Sequence, residues 1–137
     1  MPFPYHASMT EVEVIKVMRA HLEAQFPKVC GRCNYRFATL REYMLITKPR
    51  GSAIPYDADV GDWHPLHPWG VYTFAGCPCG NIHSLSSQGL PISELWALLN
   101  WAQFETYRRQ MTPRELLNYL RDEISKQVLA APEHDAT

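Results

Sequence analysis

Apolar residues recur at helical spacing near both ends of the chain. Between them lie short aromatic and β-branched runs broken by Gly and Pro. Near the start, Val14, Met18 and Leu22 fall four residues apart with Val17 beside them, which makes one apolar stripe. Ser8 and Thr10 each precede a glutamate three positions on (Glu11, Glu13), the pattern of a capping box, so a helix is predicted over 8–26, and Pro27 ends it. From Val29 to Leu40 the pattern predicts a turn followed by a strand. Glu42 to Thr47 reads as a second strand from its aromatic and β-branched content, with a helix as the alternative. Gly70–Ala75 and Asn81–Ser86 predict a hairpin.

Two more helices follow over 91–130. The first begins near Ser93 and runs to about Arg109, with Leu95, Leu98, Leu99 and Ala102 as its inner face. Trp96, Trp101 and Phe104 lie off that stripe, so the helix is apolar nearly all round and is expected to be largely buried. The second has the clearest start signal in the chain. Thr112 caps it, Pro113 takes the first helical position, Glu115 completes a capping box, and Met111 and Leu116 are spaced as a hydrophobic staple. Leu116, Leu120, Ile124 and Val128 recur every four residues, and 132–137 is a short polar tail.

These elements predict an α+β fold in a single domain spanning 1–137, in which about three helices pack on a small antiparallel sheet over 28–90. The loop 48–70 is rich in Pro and Gly. A segment of that length without its own secondary structure is usually a binding or functional one, and Trp63 and Trp69 within it argue against full disorder. No apolar run approaches the length of a membrane span, so no membrane partner is expected. Met1–Thr10 lacks a basic stretch followed by an apolar one, which predicts a cytoplasmic, reducing setting.

The four cysteines change the picture most. They come as two tight pairs, Cys30-Gly31-Arg32-Cys33 and Cys77-Pro78-Cys79-Gly80, each in a turn context beside strand-forming residues. Four soft ligands brought together suit a tetrahedral zinc ion. Disulfides between the pairs, a redox dithiol at Cys30 and Cys33, and an iron–sulfur cluster use the same residue type. The redox dithiol needs a following helix, where Asn34–Phe37 reads as strand. Gly31 and Gly80 are expected to let backbone amides turn toward the thiolates. The two segments resemble zinc-ribbon knuckles, a resemblance covering about 25 residues. It implies a structural Zn2+ site and two hairpins, with no activity attached. The second pair lacks one residue of the usual C-P-x-C-G form. His83 is therefore the runner-up ligand, for a site of three cysteines and one histidine.

Charge is the other asymmetry. The chain carries a net −1, yet Phe26–Arg50 holds six basic residues (Lys28, Arg32, Arg36, Arg41, Lys48, Arg50) against Glu42 alone. With Tyr35, Phe37 and Tyr43 interleaved, this segment could offer anionic partners a basic surface and nucleic acid a stacking one; the commoner arrangement is a solvated strand face with its aromatics in the core. Trp63 and Trp69 are candidate interface anchors beside it. The leading expectation is a small, non-catalytic, regulatory zinc module that docks on a larger protein or nucleoprotein machine. That profile is similar to many phage-encoded and mobile-element regulators.

A nucleic-acid-binding zinc ribbon is the second expectation. A helix-turn-helix in the C-terminal pair fits poorly, because the last helix carries Glu115, Asp122 and Glu123. The third is a metal-dependent hydrolase using Asp57, Asp59, Asp62, His64 and His67, whose spacing matches no established template. Phosphate-loop, dinucleotide, nucleophile-elbow, metalloprotease and deaminase signatures are absent from the sequence.

Overall fold

The computed structural model describes residues 9–51, 54–55, 70–86 and 89–130. The first helix, α1 (Glu11–Glu23), is capped by Thr10: the Glu13 amide donates to its hydroxyl and its own amide donates to the Glu13 carboxylate. Val14, Ile15, Met18 and Leu22 form the buried stripe. Two short strands, β1 (Lys28–Val29) and β2 (Arg36–Phe37), then pair antiparallel around the first cysteine turn.

The strand expected over 42–47 is instead a helix, α2 (Leu40–Ile46). Local capping and tertiary burial together override the β-prone composition. The Glu42 amide donates to the Thr39 hydroxyl at 3.1 Å, and the Glu42 carboxylate accepts from the Ala38 amide at 2.6 Å. Helical phase then turns Leu40, Tyr43 and Thr47 inward together, and the Thr47 hydroxyl donates to the Tyr43 carbonyl at 2.6 Å.

Four more strands form the main sheet: β3 (Lys48–Pro49), β4 (Ile54–Pro55), β5 (Gly70–Gly76) and β6 (Ile82–Ser86). All pair antiparallel with β5. On one edge β3 covers its end (Lys48 opposite Gly76) and β4 its start (Pro55 opposite Gly70). On the other edge β6 sets His83 opposite Ala75, and the register shifts between Val71 and Thr73. Pro49 and Pro55, which have no amide to donate, sit on the outer strands, where a ladder tolerates them.

Helix α3 (Ile92–Arg109) starts after Pro91, which caps it with no side chain, and closes at Gln110 in the left-handed region. Its expected all-round burial is not found. Leu98, Trp101, Ala102 and Glu105 face inward, Leu95 and Leu99 are only partly buried against the core, and Trp96, Phe104 and Tyr107 are largely exposed. The last helix, α4 (Pro113–Ala130), explains this: α3 packs on it from one side, and among the described residues no layer covers the far side of α3. Thr112 and Glu115 form the expected reciprocal cap at 2.9 and 3.1 Å. Helix α4 is the hub of the fold. It touches α1, α2, α3, β4 and β5, and buries Leu116, Leu117, Leu120, Ile124 and Val128 between them. The α+β class stands, with four helices among the described residues where about three were expected, and with two small antiparallel sheets among them. No helix among the described residues is long and apolar enough to cross a membrane.

Candidate metal centre

The first cysteine turn joins β1 to β2. The Cys30 amide donates to the Tyr35 carbonyl and the Asn34 amide to the Cys30 carbonyl, both at 2.9 Å, and Asn34 takes a left-handed φ of 66°. Asn34, and not Gly31, therefore supplies the positive φ expected of a glycine. A Cβ added at Gly31 meets nothing within 4 Å, so that position does not require glycine. The second turn joins β5 to β6. The Cys77 amide donates to the Asn81 carbonyl and the Gly80 amide to the Cys77 carbonyl, both at 2.8 Å, and Gly80 adopts φ 99°, where a side chain is strained.

The two turns face each other. The Sγ atoms of Cys30, Cys33, Cys77 and Cys79 all lie within 4.8 Å of one another, a group that could hold a metal ion. The close approaches cross between the turns, with Cys30 to Cys79 at 3.7 Å and Cys33 to Cys77 at 3.7 Å. That is far beyond a disulfide bond, and all four are free thiols. It does match the edge of a tetrahedron, which is about 3.8 Å for four sulfurs each about 2.3 Å from a central ion. The short second turn still brings both of its sulfurs to the group.

Backbone and side-chain donors surround the sulfurs. The amides of Cys33 and Arg32, with the side chains of Asn81 and His83, outweigh burial and pull the Cys30 thiol down to about 5. The Asn81 amide nitrogen stands 3.6 Å from Cys30 Sγ. Cys77 shows the opposite result. Its strongest influence is the Cys79 amide, which favours the thiolate, but burial and the neighbouring sulfurs push the thiol up to about 12. Like charges this close repel, so four thiolates held together call for a cation between the sulfurs.

His83 lies outside the group of four sulfurs. It is buried on β6, packed edge-on against Phe37 and Tyr43, and its imidazole supports Cys30. Together with Asn81 it stands beside the Cys30 sulfur, where it would orient that sulfur toward an ion. Asn81 was not singled out in the sequence. The signal for it was the thiolates' need for donors, which favours a polar residue directly after the turn glycine.

The basic candidates divide. Arg32 and Arg50 are exposed and flank the second turn: a Cβ at Gly80 stands 3.5 Å from Arg32 Nη1, and one at Gly76 stands 3.1 Å from Arg50 Nε. Arg36 and Lys48 are also exposed. Arg41 is committed to the fold, since its Nη1 donates to the Val128 and Leu129 carbonyls at the end of α4, each at 3.2 Å. The aromatic interleaving does not reach the surface as expected. Phe37 and Tyr43 are core residues, and Tyr35 alone of the three is exposed, its hydroxyl donating to Glu42. Trp63, Trp69, Asp57, Asp59, Asp62, His64 and His67 lie outside the described residues. Comparison with protein-family models, with curated proteins and with solved structures returns no match, so the reading of this centre rests on its own chemistry.

Proposed function

We propose that this chain is a non-catalytic zinc module with a regulatory role, docking on a larger protein or nucleoprotein complex. The observation that carries it is the gathering of four sulfurs from two facing turns, all within 4.8 Å of one another. Cys30, Cys33, Cys77 and Cys79 would hold Zn2+ and fill its four positions, leaving none open for a substrate or an activated water. The ion would tie together segments 44 positions apart in the chain, and its work would be structural. A two-iron cluster, which places its cysteine pairs on separate irons, needs more room than sulfurs all within 4.8 Å allow.

The docking surface would be the exposed cations around the cysteine turns: Arg32, Arg36, Lys48 and Arg50, with Trp63 and Trp69 from the adjoining loop as anchors. The burial of Phe37 and Tyr43 favours an acidic protein surface over stacked bases, because Tyr35 alone of those aromatics is left to stack.

Elemental analysis of protein purified without added metal tests the first part, with one zinc per chain expected. Metal-free protein that is fully folded overturns it, and two ions per chain would favour the hydrolase reading of the Asp57–His67 segment. Affinity capture after nuclease treatment tests the second part. The double variant Arg32→Glu, Arg36→Glu should lose the captured partner and the salt sensitivity of capture, and unchanged capture removes this surface from the proposal.

A further inference from the structure

The outer face of α3 is the least explained surface of the described fold. At helical spacing it presents Ile92, Trp96, Asn100, Gln103, Phe104 and Tyr107, opposite the inner face of Leu98, Trp101, Ala102 and Glu105. A solvent-facing helical stripe normally carries charge. This one carries none over four turns, while Ile92, Trp96, Phe104 and Tyr107 are 70%, 60%, 63% and 81% exposed. Aromatic enrichment with charge depletion is the composition of an interface centre.

We infer that this face pairs with the same face of a second copy of the chain, antiparallel, about a two-fold axis through Asn100. The spacing is self-complementary. Trp96 and Phe104 lie four residues either side of Asn100, so a two-fold rotation sets each Trp96 against the partner's Phe104, and both contacts form at once. An indole against a phenyl ring is a favourable aromatic pair. At the axis Asn100 meets its own copy, and a carboxamide, being donor and acceptor together, satisfies itself across a two-fold while fixing the register.

The area is sufficient. Three rings of roughly 150–250 Å² each, exposed to the extents given, offer about 400 Å² per copy. Two copies with Ile92 and the flanking stems pass the roughly 1,000 Å² that a specific interface needs. An uncharged face offers a dissimilar partner little electrostatic selectivity. A net charge of −1 per chain leaves two copies with almost no repulsion to overcome.

Light scattering coupled to size exclusion, on the purified full chain with its metal, tests the pairing. The expected mass is twice the 15.8 kDa of one chain, falling to one chain on dilution. Trp96→Glu and Phe104→Lys should each raise the dimer dissociation constant at least about a hundredfold, because a symmetric pair carries every substitution twice. Both side chains point away from the core, so far-UV dichroism and metal content should not change. Mixing the two variants is the decisive arm. The heterodimer sets the introduced carboxylate against the introduced ammonium at one contact and restores Trp96 against Phe104 at the other, so dimer should reappear in the mixture only. A wild-type monomer at hundreds of micromolar, a dimer untouched by either variant, an assembly larger than two, or a mixture that stays monomeric would each overturn the inference.

Discussion

Arg109 and Glu11 stand 98 positions apart in the chain and meet at 2.7 Å. The same guanidinium donates to Glu105 at 2.7 Å and lies over the rings of Trp101 and Tyr119, while the Tyr119 hydroxyl donates to Glu11 at 2.7 Å. One side chain thus ties α1, α3 and α4 together. Arg109→Ala leaves the buried Glu105 with Arg108 alone and removes the cation from Glu11. It should cost about 1–3 kcal/mol, read by urea denaturation. An unchanged midpoint would show that the three helices hold together by apolar packing without it.

The same network sets an acid limit. Hydrogen bonds from Arg108, and then from Arg109, hold Glu105 below the ordinary glutamate range. Burial pushes Glu11 up, but its bonds from Tyr119 and Arg109 outweigh burial and hold it low as well. Both carboxyls therefore bind protons less readily folded than unfolded. Their stabilisation is fully present above the unfolded value of about 4.3 and is lost as pH falls through the folded values. Melting temperatures taken between neutrality and pH 3 should fall mainly below that point. The decline should be shallower in Arg109→Ala.

Asn81→Ala removes a donor to Cys30 without touching a ligand. Metal affinity should drop about 10–100-fold in chelator competition, with one ion still bound at saturation. His83→Ala should also keep one ion per chain, because the group of four sulfurs does not include it. It should nonetheless destabilise the fold by about 2 kcal/mol, since it empties a buried site beside Phe37 and Tyr43. Loss of the ion in His83→Ala would make His83 a ligand after all.

Arg41 and Arg32 separate a structural cation from a surface one. Arg41→Ala uncaps the final carbonyls of α4 and should cost about 1 kcal/mol while leaving partner capture intact. Arg32→Ala should do the reverse. Thr112→Ala, which deletes the hydroxyl accepting the Glu115 amide, should cost about 1 kcal/mol, and a change near zero would mean that the start of α4 does not depend on this cap.

Local signals in the sequence were strong where a cap and a stripe agreed, as at Thr10 and Thr112. The cysteine turns were legible in part: spacing pointed to four gathered sulfurs among other readings, while the positive φ of the first turn falls to Asn34 and not Gly31. Helix α2 is legible only as the alternative to a strand, although Thr39 and Glu42 carry the very spacing used at the other two caps. The β-prone run Tyr43–Thr47 favours the strand, and the Thr39 cap together with the packing of Tyr43 among Phe26, Phe37 and His83 decides for the helix. The exposure of α3 was illegible in a different way. Composition tells how apolar a helix is, but the number of layers around it is a property of the whole fold. Arg41 looked like its basic neighbours because its partners, two backbone carbonyls at the far end of the chain, leave no trace in side-chain pattern.

Pro55 and Gly70 sit directly opposite each other, the last rung of β4 against the first of β5. That rung is a neck: everything from 56 to 69 leaves and returns through two points a strand's width apart. Closing a longer excursion through such a neck costs little, about 0.6 kcal/mol for each doubling of its length. Variants that shorten or lengthen the sequence between Pro55 and Gly70 should therefore keep this rung and differ little in melting temperature.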